Sequence, residues 1–153
     1  MSRSDFALFY ESSFHQVLAA AQAFTSDRDV AYESTQEAFA RAFARWRRVS
    51  AASSPEAWVV TTALNLCRRH FRRRGSLPRG DLTAPEASAD RLDMLSALRS
   101  LPERQRQAAV LHYIADYPVA AVADAMGISD GAVKAHLSKA RDALRRSLEV
   151  RHA

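Results

Sequence analysis

Apolar residues recur every three or four positions along most of the chain, which is the spacing of helices with one buried face. Two such stripes occupy residues 6–21 and 35–46. Ser26 and Asp27 stand before the second stripe, and the side-chain oxygen of either residue can accept hydrogen bonds from the free amides that begin a helix. The pattern therefore predicts two helices, the second capped at one of these residues.

The second stripe has an inner face that contains Thr35, Phe39 and Trp46. Between them, either Ala42 or Phe43 completes the face. Because Trp46 continues this face, we expect its indole to lie in the core rather than on a nucleic-acid base.

A third helix is predicted over residues 55–74, after RRVSAASS (47–54) interrupts the periodicity. Ser54 can cap this helix, and Pro55 suits its first position because the amide hydrogen that proline lacks would have no partner there. Residues 75–90 then contain two glycines, two prolines and no periodic apolar face. That composition is typical of a flexible linker.

Four helices are predicted after the linker: a short one around residues 92–98, and others that begin near Pro102, Pro118 and Ser129. The second of these is expected to bury Ala108, Leu111 and Ile114, with Ala109 and Tyr113 alongside. The whole pattern predicts an all-α protein of two small helical domains, residues 1–74 and 91–153, joined by the flexible linker 75–90.

The last two helices have the form of a helix-turn-helix, in which a short helix, a glycine turn and a longer helix follow one another. Gly127 permits a positive φ in the turn, Ile128 fills the corner and Ser129 caps the second helix. That helix should bury Val133, Leu137, Ala140 and Leu144 and turn outward Gly131, Lys134, Ala135, Ser138, Lys139 and Asp142. Such a helix enters the major groove of DNA with its N-terminal part, whereas a hairpin with a solvated cationic face is the alternative.

Positive charge is concentrated in two blocks, although the net charge of the 153 residues is only +5. Residues 51–80 hold six arginines against one glutamate, and residues 128–153 hold six cations against three acidic residues. Five arginines fall within RRHFRRR (68–74), more than a helix C-terminus needs to complement its dipole. The distribution favours two contacts with one polyanion, and two solvated helix faces are the alternative.

The sequence lacks the signatures of an enzyme. The five histidines are scattered, and the single cysteine, Cys67, excludes a disulfide framework and a thiolate metal cage. Carboxylates at Asp27, Asp29, Glu33 and Glu37 spread along a helix, which suits a solvated acidic face or a protein-docking surface better than a magnesium site. We expect no catalytic residue, metal or cofactor. No apolar run approaches membrane-spanning length, so we also expect a cytoplasmic protein without membrane contact.

Four stretches resemble, in the same order, bacterial sigma factors of the extracytoplasmic-function (ECF) type within the sigma-70 family. They are TQEAFARAFARW, SPEAWVVTTALNLCRRHFRRR, LRSLPERQRQAAVLHYIADY and AAVADAMGISDGAVKAHLSKARDALRRSL. The resemblance makes residues 1–74 a region 2-like domain and residues 91–153 a region 4-like domain. It implies a non-catalytic promoter-specificity subunit that binds core RNA polymerase, through the β′ clamp helices and the β flap, and promoter DNA. An anti-sigma factor is a further implied partner.

The resemblance also implies roles for individual residues. Docking on polymerase would use Glu33, Gln36, Glu37 and Phe39. Binding of the minus-ten element would use Trp58, Asn65, Arg68, Arg69, Arg72 and Arg73. Reading of the minus-thirty-five element would use Asp130, Gly131, Lys134, Ala135, Ser138, Lys139 and Arg141. A pocket that accepts only an extruded base would couple recognition to strand melting.

The chain departs from the family pattern at YEST (32–35), where acidic and aliphatic residues usually precede the glutamine. Thr61, Leu64 and Arg69 also stand where the family often has Arg, Arg and Asp. The preferred promoter sequence therefore does not follow from the resemblance. The alternative function is a stand-alone helix-turn-helix regulator that binds duplex DNA without polymerase. A third class, a protein-interaction bundle with incidental positive charge, is less favoured.

Overall fold

The computed structural model describes residues 3–74 and 89–152, with side chains for residues 3–70 and 93–149. Within these ranges the chain forms eight α-helices: α1 (Arg3–Phe24), α2 (Arg28–Ala44), α3 (Trp46–Ser50), α4 (Pro55–Arg74), α5 (Ala89–Arg99), α6 (Glu103–Ala109), α7 (Val119–Met126) and α8 (Asp130–His152). A π-helical turn, Val110–Ile114, follows α6. Most of the predicted linker, 75–90, lies outside the described residues. None of the described helices is both long enough and apolar enough to cross a membrane.

Helices α1, α2 and α4 pack against one another in the N-terminal half. Their buried faces contain many alanines, among them Ala20, Ala21, Ala38, Ala42 and Ala63. Small side chains at the contacts allow neighbouring helix axes to approach closely. The core of this half therefore depends on close helix packing as well as on large apolar side chains.

Both predicted caps of this half are present. The Asp27 carboxylate accepts hydrogen bonds from the amides of Asp29 and Val30, at 3.0 and 3.1 Å, so Asp27 rather than Ser26 begins α2. The Ser54 hydroxyl accepts a bond of 3.1 Å from the Ala57 amide at the start of α4. Each cap satisfies amides that would otherwise lack a partner at a helix N-terminus.

The second apolar stripe does not form one helix. Arg45 leaves the helical region, with φ −120° and ψ 30°, and Trp46 begins the separate helix α3. The break therefore falls two residues before the predicted interruption at 47–54, and α3 occupies the first half of that stretch. Trp46 is half-buried and packs against the core, as expected, with its ring centroid 5.4 and 5.1 Å from those of Phe6 and Phe9.

The choice between Ala42 and Phe43 is also settled. Ala42 is fully buried against the helical core, whereas 47% of Phe43 is exposed. Because neighbouring residues of a helix point about 100° apart, only one of the two can face the core. Phe43 therefore contributes an aromatic ring to the surface.

In the C-terminal half, the prediction that Ile114 faces the core is wrong. The Ala115 amide donates to the Val110 carbonyl at 2.9 Å, five residues back, so the helix widens by one residue at this turn. Ala108, Ala109 and Leu111 are buried as expected. The wider turn rotates its last residues outward: 39% of Ile114 is exposed, and so is 45% of Tyr113, which was also expected to face the core.

The two halves pack against each other in the described chain. Helix α1 contacts α5 and the π-helical turn, and α4 contacts α7. Buried residues of both halves form one continuous cluster, which extends from Val17 and Leu64 to Leu111 and Leu137. The surfaces of the two halves that face each other are therefore covered in this arrangement.

Candidate nucleic-acid and polymerase interfaces

Helices α7 and α8 form the predicted helix-turn-helix. Gly127 ends α7 in the left-handed region, with φ 67° and ψ 36°, and the Ser129 hydroxyl accepts a bond of 3.1 Å from the Ala132 amide. Ile128 packs against the core at the corner. The turn therefore fixes the direction in which α8 leaves α7, which is the geometry that a groove-reading helix requires.

The faces of α8 agree with the predicted helical wheel. Its inner side buries Val133, Leu137, Ala140 and Leu144. All seven residues assigned to the minus-thirty-five element are exposed: Asp130, Gly131, Lys134, Ala135, Ser138, Lys139 and Arg141. Arg141 is held at the edge of this face, because its guanidinium donates to the Tyr113 hydroxyl at 3.0 Å. The exposed face thus presents two lysines and small side chains to solvent.

The residues assigned to the minus-ten element lie along α4, and two of them contact the other half of the chain. The Arg68 guanidinium forms an ion pair with Glu103 of α6. The Gln107 amide donates to the Asn65 side-chain oxygen at 3.4 Å. Trp58 is half-buried and Arg69 is exposed. Arg72 and Arg73 belong to the last turn of α4, and their side chains lie outside the described residues.

A buried arginine lies beside these contacts. Arg106 is only 2% exposed, and its guanidinium donates to the carbonyl of Phe24, in the other half, at 3.1 Å. Further bonds of 3.0 to 3.2 Å reach the carbonyls of Leu98, Arg99 and Leu101. The same group lies over the Phe24 ring, 5.3 Å from its centroid. Burial lowers the pKa of Arg106, but four carbonyl acceptors compensate the buried cation.

The residues assigned to polymerase docking lie on α2. Glu33 and Glu37 are exposed, whereas Phe39 is only 2% exposed and packs its ring against Tyr10, 4.9 Å between centroids. Gln36 donates to the hydroxyl of Tyr10, at 3.2 Å. The carboxylates and Gln36 thus form the accessible part of this surface, and Phe39 supports it from below.

Two features beside the docking residues did not follow from the sequence. Phe43 and Phe6 line a shallow apolar cavity of about 300 Å³ between α1 and α2. Arg41 and Arg45 line another cavity, of about 150 Å³, between α2 and α4. The only sequence signal for the apolar cavity was the pair of adjacent apolar residues at 42 and 43, because one of the two had to face outward.

A second apolar surface lies on the C-terminal half. It is a groove of about 390 Å³ between α5, the π-helical turn and α8. Its lining consists of Met94, Leu98, Tyr113, Ile114 and Leu144, with Arg141 and Arg145 at the side. Exposed apolar surface of this kind is typical of protein–protein contact sites.

Cys67 is fully buried in the first half. Burial raises the pKa of its thiol to about 12, so the thiol is protonated at neutral pH. A protonated, enclosed thiol is neither a nucleophile nor a metal ligand. Cys67 therefore acts as a small buried hydrophobe.

Comparison with known proteins follows the same division of the chain. The family model for Sigma-70 region 2 matches residues 9–77, and that for Sigma-70, region 4 matches residues 91–144. The ECF RNA polymerase sigma factor SigC of Mycobacterium tuberculosis is 30% identical over 134 residues, which cover 80% of this chain and 72% of that relative. The RNA polymerase sigma-E factor of Streptomyces coelicolor is 28% identical over 143 residues, 88% of this chain and 81% of the relative.

Solved structures agree with the sequence relatives. The sigma factor RpoE of Bartonella quintana, solved in complex with the anti-sigma factor NepR, matches with a TM-score of 0.84 at 25% identity, over 95% of this chain and 98% of that one. CnrH, solved with the cytosolic domain of CnrY, matches with a TM-score of 0.73 at 19% identity, over 97% and 90% of the two chains.

The two family matches, one on each helical half, identify the chain as a transcription initiation factor. The chain belongs to the sigma-70 family, as a sigma factor of the ECF type. It is a promoter-specificity subunit of RNA polymerase, and a stand-alone regulator is not favoured.

Proposed function

We propose that the two halves of this sigma subunit divide the work of initiation. Residues 1–74 dock on core polymerase and open the minus-ten element, and residues 91–153 read the minus-thirty-five element as duplex. The chain carries out no chemical step itself, and it acts in the cytoplasm together with polymerase. The observation that carries the proposal is the geometry of α7 and α8, because the lysines of α8 stand exposed on a helix whose opposite face is buried.

Docking is assigned to α2 through Glu33, Gln36 and Glu37, with Phe39 beneath them. Exposed carboxylates on this surface would complement a basic surface on the β′ clamp helices of polymerase. The apolar groove that contains Tyr113 and Ile114 is proposed to bind the β flap. We also propose an anti-sigma partner, since the sigma factor RpoE, whose structure matches over 95% of this chain, was solved in complex with such a protein.

The minus-ten contact is assigned to Trp58, Asn65 and the arginines of α4, including Arg72 and Arg73. Guanidinium groups suit the phosphates of an opened strand, and an aromatic ring offers a surface on which an unpaired base can stack. Unstacking a base costs a few kcal/mol, so binding of the extruded base stabilises the melted state.

Run-off transcription tests the proposal. Purified chain and core polymerase are incubated with genomic fragments, and the start sites of the transcripts are mapped. We expect new transcripts only when both proteins are present. Binding of the chain alone to a palindromic duplex, without any change in initiation, would favour the stand-alone regulator instead.

Charge reversal tests the docking surface. Glu37→Lys should weaken binding to core polymerase, measured by co-elution, because it places a cation against a basic partner. Glu11→Lys makes the same change at an exposed position of α1 and serves as the matched control. Equal binding by both variants would contradict the assignment of α2 to docking.

A further inference from the structure

Tyr113 connects two surfaces of the C-terminal half. Its ring lines the apolar groove between α5, the π-helical turn and α8, and its hydroxyl accepts a hydrogen bond of 3.0 Å from the guanidinium of Arg141. The two residues are 28 positions apart in sequence, one on the π-helical turn and the other on α8. The bond therefore joins the groove to the exposed face of α8, which carries the residues assigned to the minus-thirty-five element.

The π-helical turn directs the Tyr113 ring outward. Tyr113 is 45% exposed, although Val110 and Leu111 of the same turn are fully buried. The Ala115 amide donates to the Val110 carbonyl, and the Tyr117 amide donates to the Leu111 carbonyl at 3.1 Å. Because these bonds fix the backbone after the tyrosine, the turn determines where the phenol ring leaves the helix.

His112 supports the Tyr113 ring from the side. The two rings meet nearly edge to face, with their centroids 4.8 Å apart and their planes at 71°. Nδ1 of His112 lies 2.8 Å from the carbonyl oxygen of Tyr117. A carbonyl oxygen only accepts hydrogen bonds, so Nδ1 carries a proton and donates it. The imidazole is thus held in one orientation and restricts the phenol ring that packs on it.

Arg141 lies at the edge of the exposed face of α8. Lys134, Ser138 and Arg141 are spaced at i, i+4 and i+7, so they share one side of the helix. Arg141 is about 10 Å farther along the helix axis than Lys134. Where the N-terminal part of such a helix enters the major groove, a residue at this distance lies near the phosphates that border the groove. A guanidinium group suits a phosphate in geometry as well as in charge.

The bond to Tyr113 orders this guanidinium before DNA binds. A long exposed side chain loses conformational freedom when it binds a phosphate, and this loss lowers the affinity. Arg141 has already lost part of that freedom through its bond to Tyr113. The guanidinium has further N–H groups besides the one at Tyr113, so it can bind a phosphate at the same time. The tyrosine can therefore raise the affinity for DNA without a contact of its own.

We propose that Tyr113 is a positioning residue for the minus-thirty-five contact: its hydroxyl holds the Arg141 guanidinium at the edge of the exposed face of α8, where Arg141 binds a phosphate. The proposal rests on the proposed function, which assigns Arg141 to this element. It gives Tyr113 a role in DNA binding in addition to its place in the apolar groove.

The experiment measures binding of the reconstituted holoenzyme to its mapped promoter by fluorescence anisotropy, over a range of salt concentrations. Tyr113→Phe keeps the ring and removes the hydroxyl. Binding should weaken about threefold, because one long side chain is no longer ordered in advance. The slope of log affinity against log salt should stay the same, because the guanidinium still reaches the phosphate and releases the same counterions.

Arg141→Gln removes the phosphate contact itself. It should weaken binding about tenfold and lower the salt slope by about 0.9, the value for one phosphate contact on duplex DNA. The double variant should bind like Arg141→Gln alone, because the hydroxyl then has no guanidinium to hold.

Tyr117→Phe is the matched control. It removes a hydroxyl from a tyrosine four residues farther along the chain, and this hydroxyl forms no hydrogen bond within the described part of the chain. Neither the affinity nor the salt slope should change in this variant.

Three outcomes would overturn the proposal. Tyr113→Phe could bind as tightly as the unchanged chain while Arg141→Gln binds more weakly, which would leave the assignment of Arg141 intact. The salt slope could fall in Tyr113→Phe, which would mean that α8 is displaced or that docking on the β flap is lost. The double variant could bind more weakly than Arg141→Gln. Unchanged binding by Arg141→Gln, in contrast, would contradict the role of Arg141 in the proposed function, and the positioning role with it.

Discussion

The two DNA-binding helices proposed for this sigma factor differ in their surroundings. On α8, Lys134 and Lys139 are exposed on a face that no other described element covers at these residues. On α4, Arg68 pairs with Glu103, and Asn65 accepts a bond from Gln107, both from the other half of the chain. The face of α8 can therefore meet duplex DNA in this arrangement, whereas Asn65 and Arg68 must first release their partners.

This difference has an energetic consequence for promoter opening. Side chains that hold the two halves together and also bind DNA cannot do both at once. Binding of an opened strand to α4 must therefore offset the free energy that holds the two halves together, and this lowers the apparent affinity of α4 for the strand. Binding to polymerase that separates the halves would remove this cost, while α8 would gain nothing from the separation.

Loss of the buried arginine should give the largest effect. Arg106→Met removes the bond to the Phe24 carbonyl across the two halves and leaves four buried carbonyls without this donor. We expect the free energy of unfolding to fall by roughly 3 kcal/mol, measured by urea denaturation. Arg146→Met, at an exposed position of α8, should change it by less than about 0.5 kcal/mol. A loss below about 1 kcal/mol in Arg106→Met would show that the carbonyls find other partners.

The second prediction concerns the exposed helix. Lys134→Ala should weaken binding of the reconstituted holoenzyme to its mapped promoter by about tenfold. This lies within the range for a lost base or phosphate contact, about 1 to 3 kcal/mol. Since Lys134 is exposed and lies outside the core, thermal stability should not change. Arg28→Ala, on α2, is the control for loss of one positive charge. Equal promoter affinity in both variants would mean that Lys134 does not contact DNA.

The sequence predicts one of the two faces better than the other, for a physical reason. The α8 face follows from local signals, since Gly127, Ser129 and the apolar period lie within one segment. The covering of α4 depends on contacts such as that between Asn65 and Gln107, which are 42 residues apart in sequence. The apolar spacing within one helix does not predict such a contact, because each of the two residues fits the pattern of its own helix.

Two local predictions failed because of single-residue changes in helix geometry. The π-helical turn at Val110–Ile114 adds one residue to a turn and so exposes Ile114, although the apolar spacing is regular. The break at Arg45 separates α2 from α3 without any glycine or proline as a signal. In both places the backbone departs from a regular α-helix although the apolar spacing continues, so the pattern of apolar residues alone does not predict it.

The third prediction weakens the contact between the halves. Glu103→Gln removes the charge that pairs with Arg68, in a partly buried pair whose side chains are 36% and 19% exposed, respectively. We expect the open population to rise about fivefold, for a pair worth about 1 kcal/mol. Dyes attached to cysteines introduced at Glu11 and Asp142 would report the distance between the two halves by energy transfer. The native Cys67 should not react with the dyes, because it is buried and its thiol is protonated.

A double-mutant cycle distinguishes this ion pair from general loosening. Arg68→Gln alone should open the chain to the same extent as Glu103→Gln, and the double variant should open it no further. Additive effects would mean that the two residues stabilise the closed arrangement independently.

The smallest expected effect concerns His136, which lies on α8 between its buried and exposed faces. Partial burial, together with Arg104 of α6 and Lys139 of α8, lowers the pKa of His136 below its usual value near 6.5. The folded chain therefore binds this proton less readily than the unfolded chain. The stability that this residue contributes is present above about pH 6.5 and is lost as the pH falls through its lowered pKa. Urea denaturation at pH 7.5 and pH 5 should show a smaller loss for His136→Gln than for the unchanged chain. Parallel losses would mean that neither burial nor the two neighbouring cations lowers the pKa of His136.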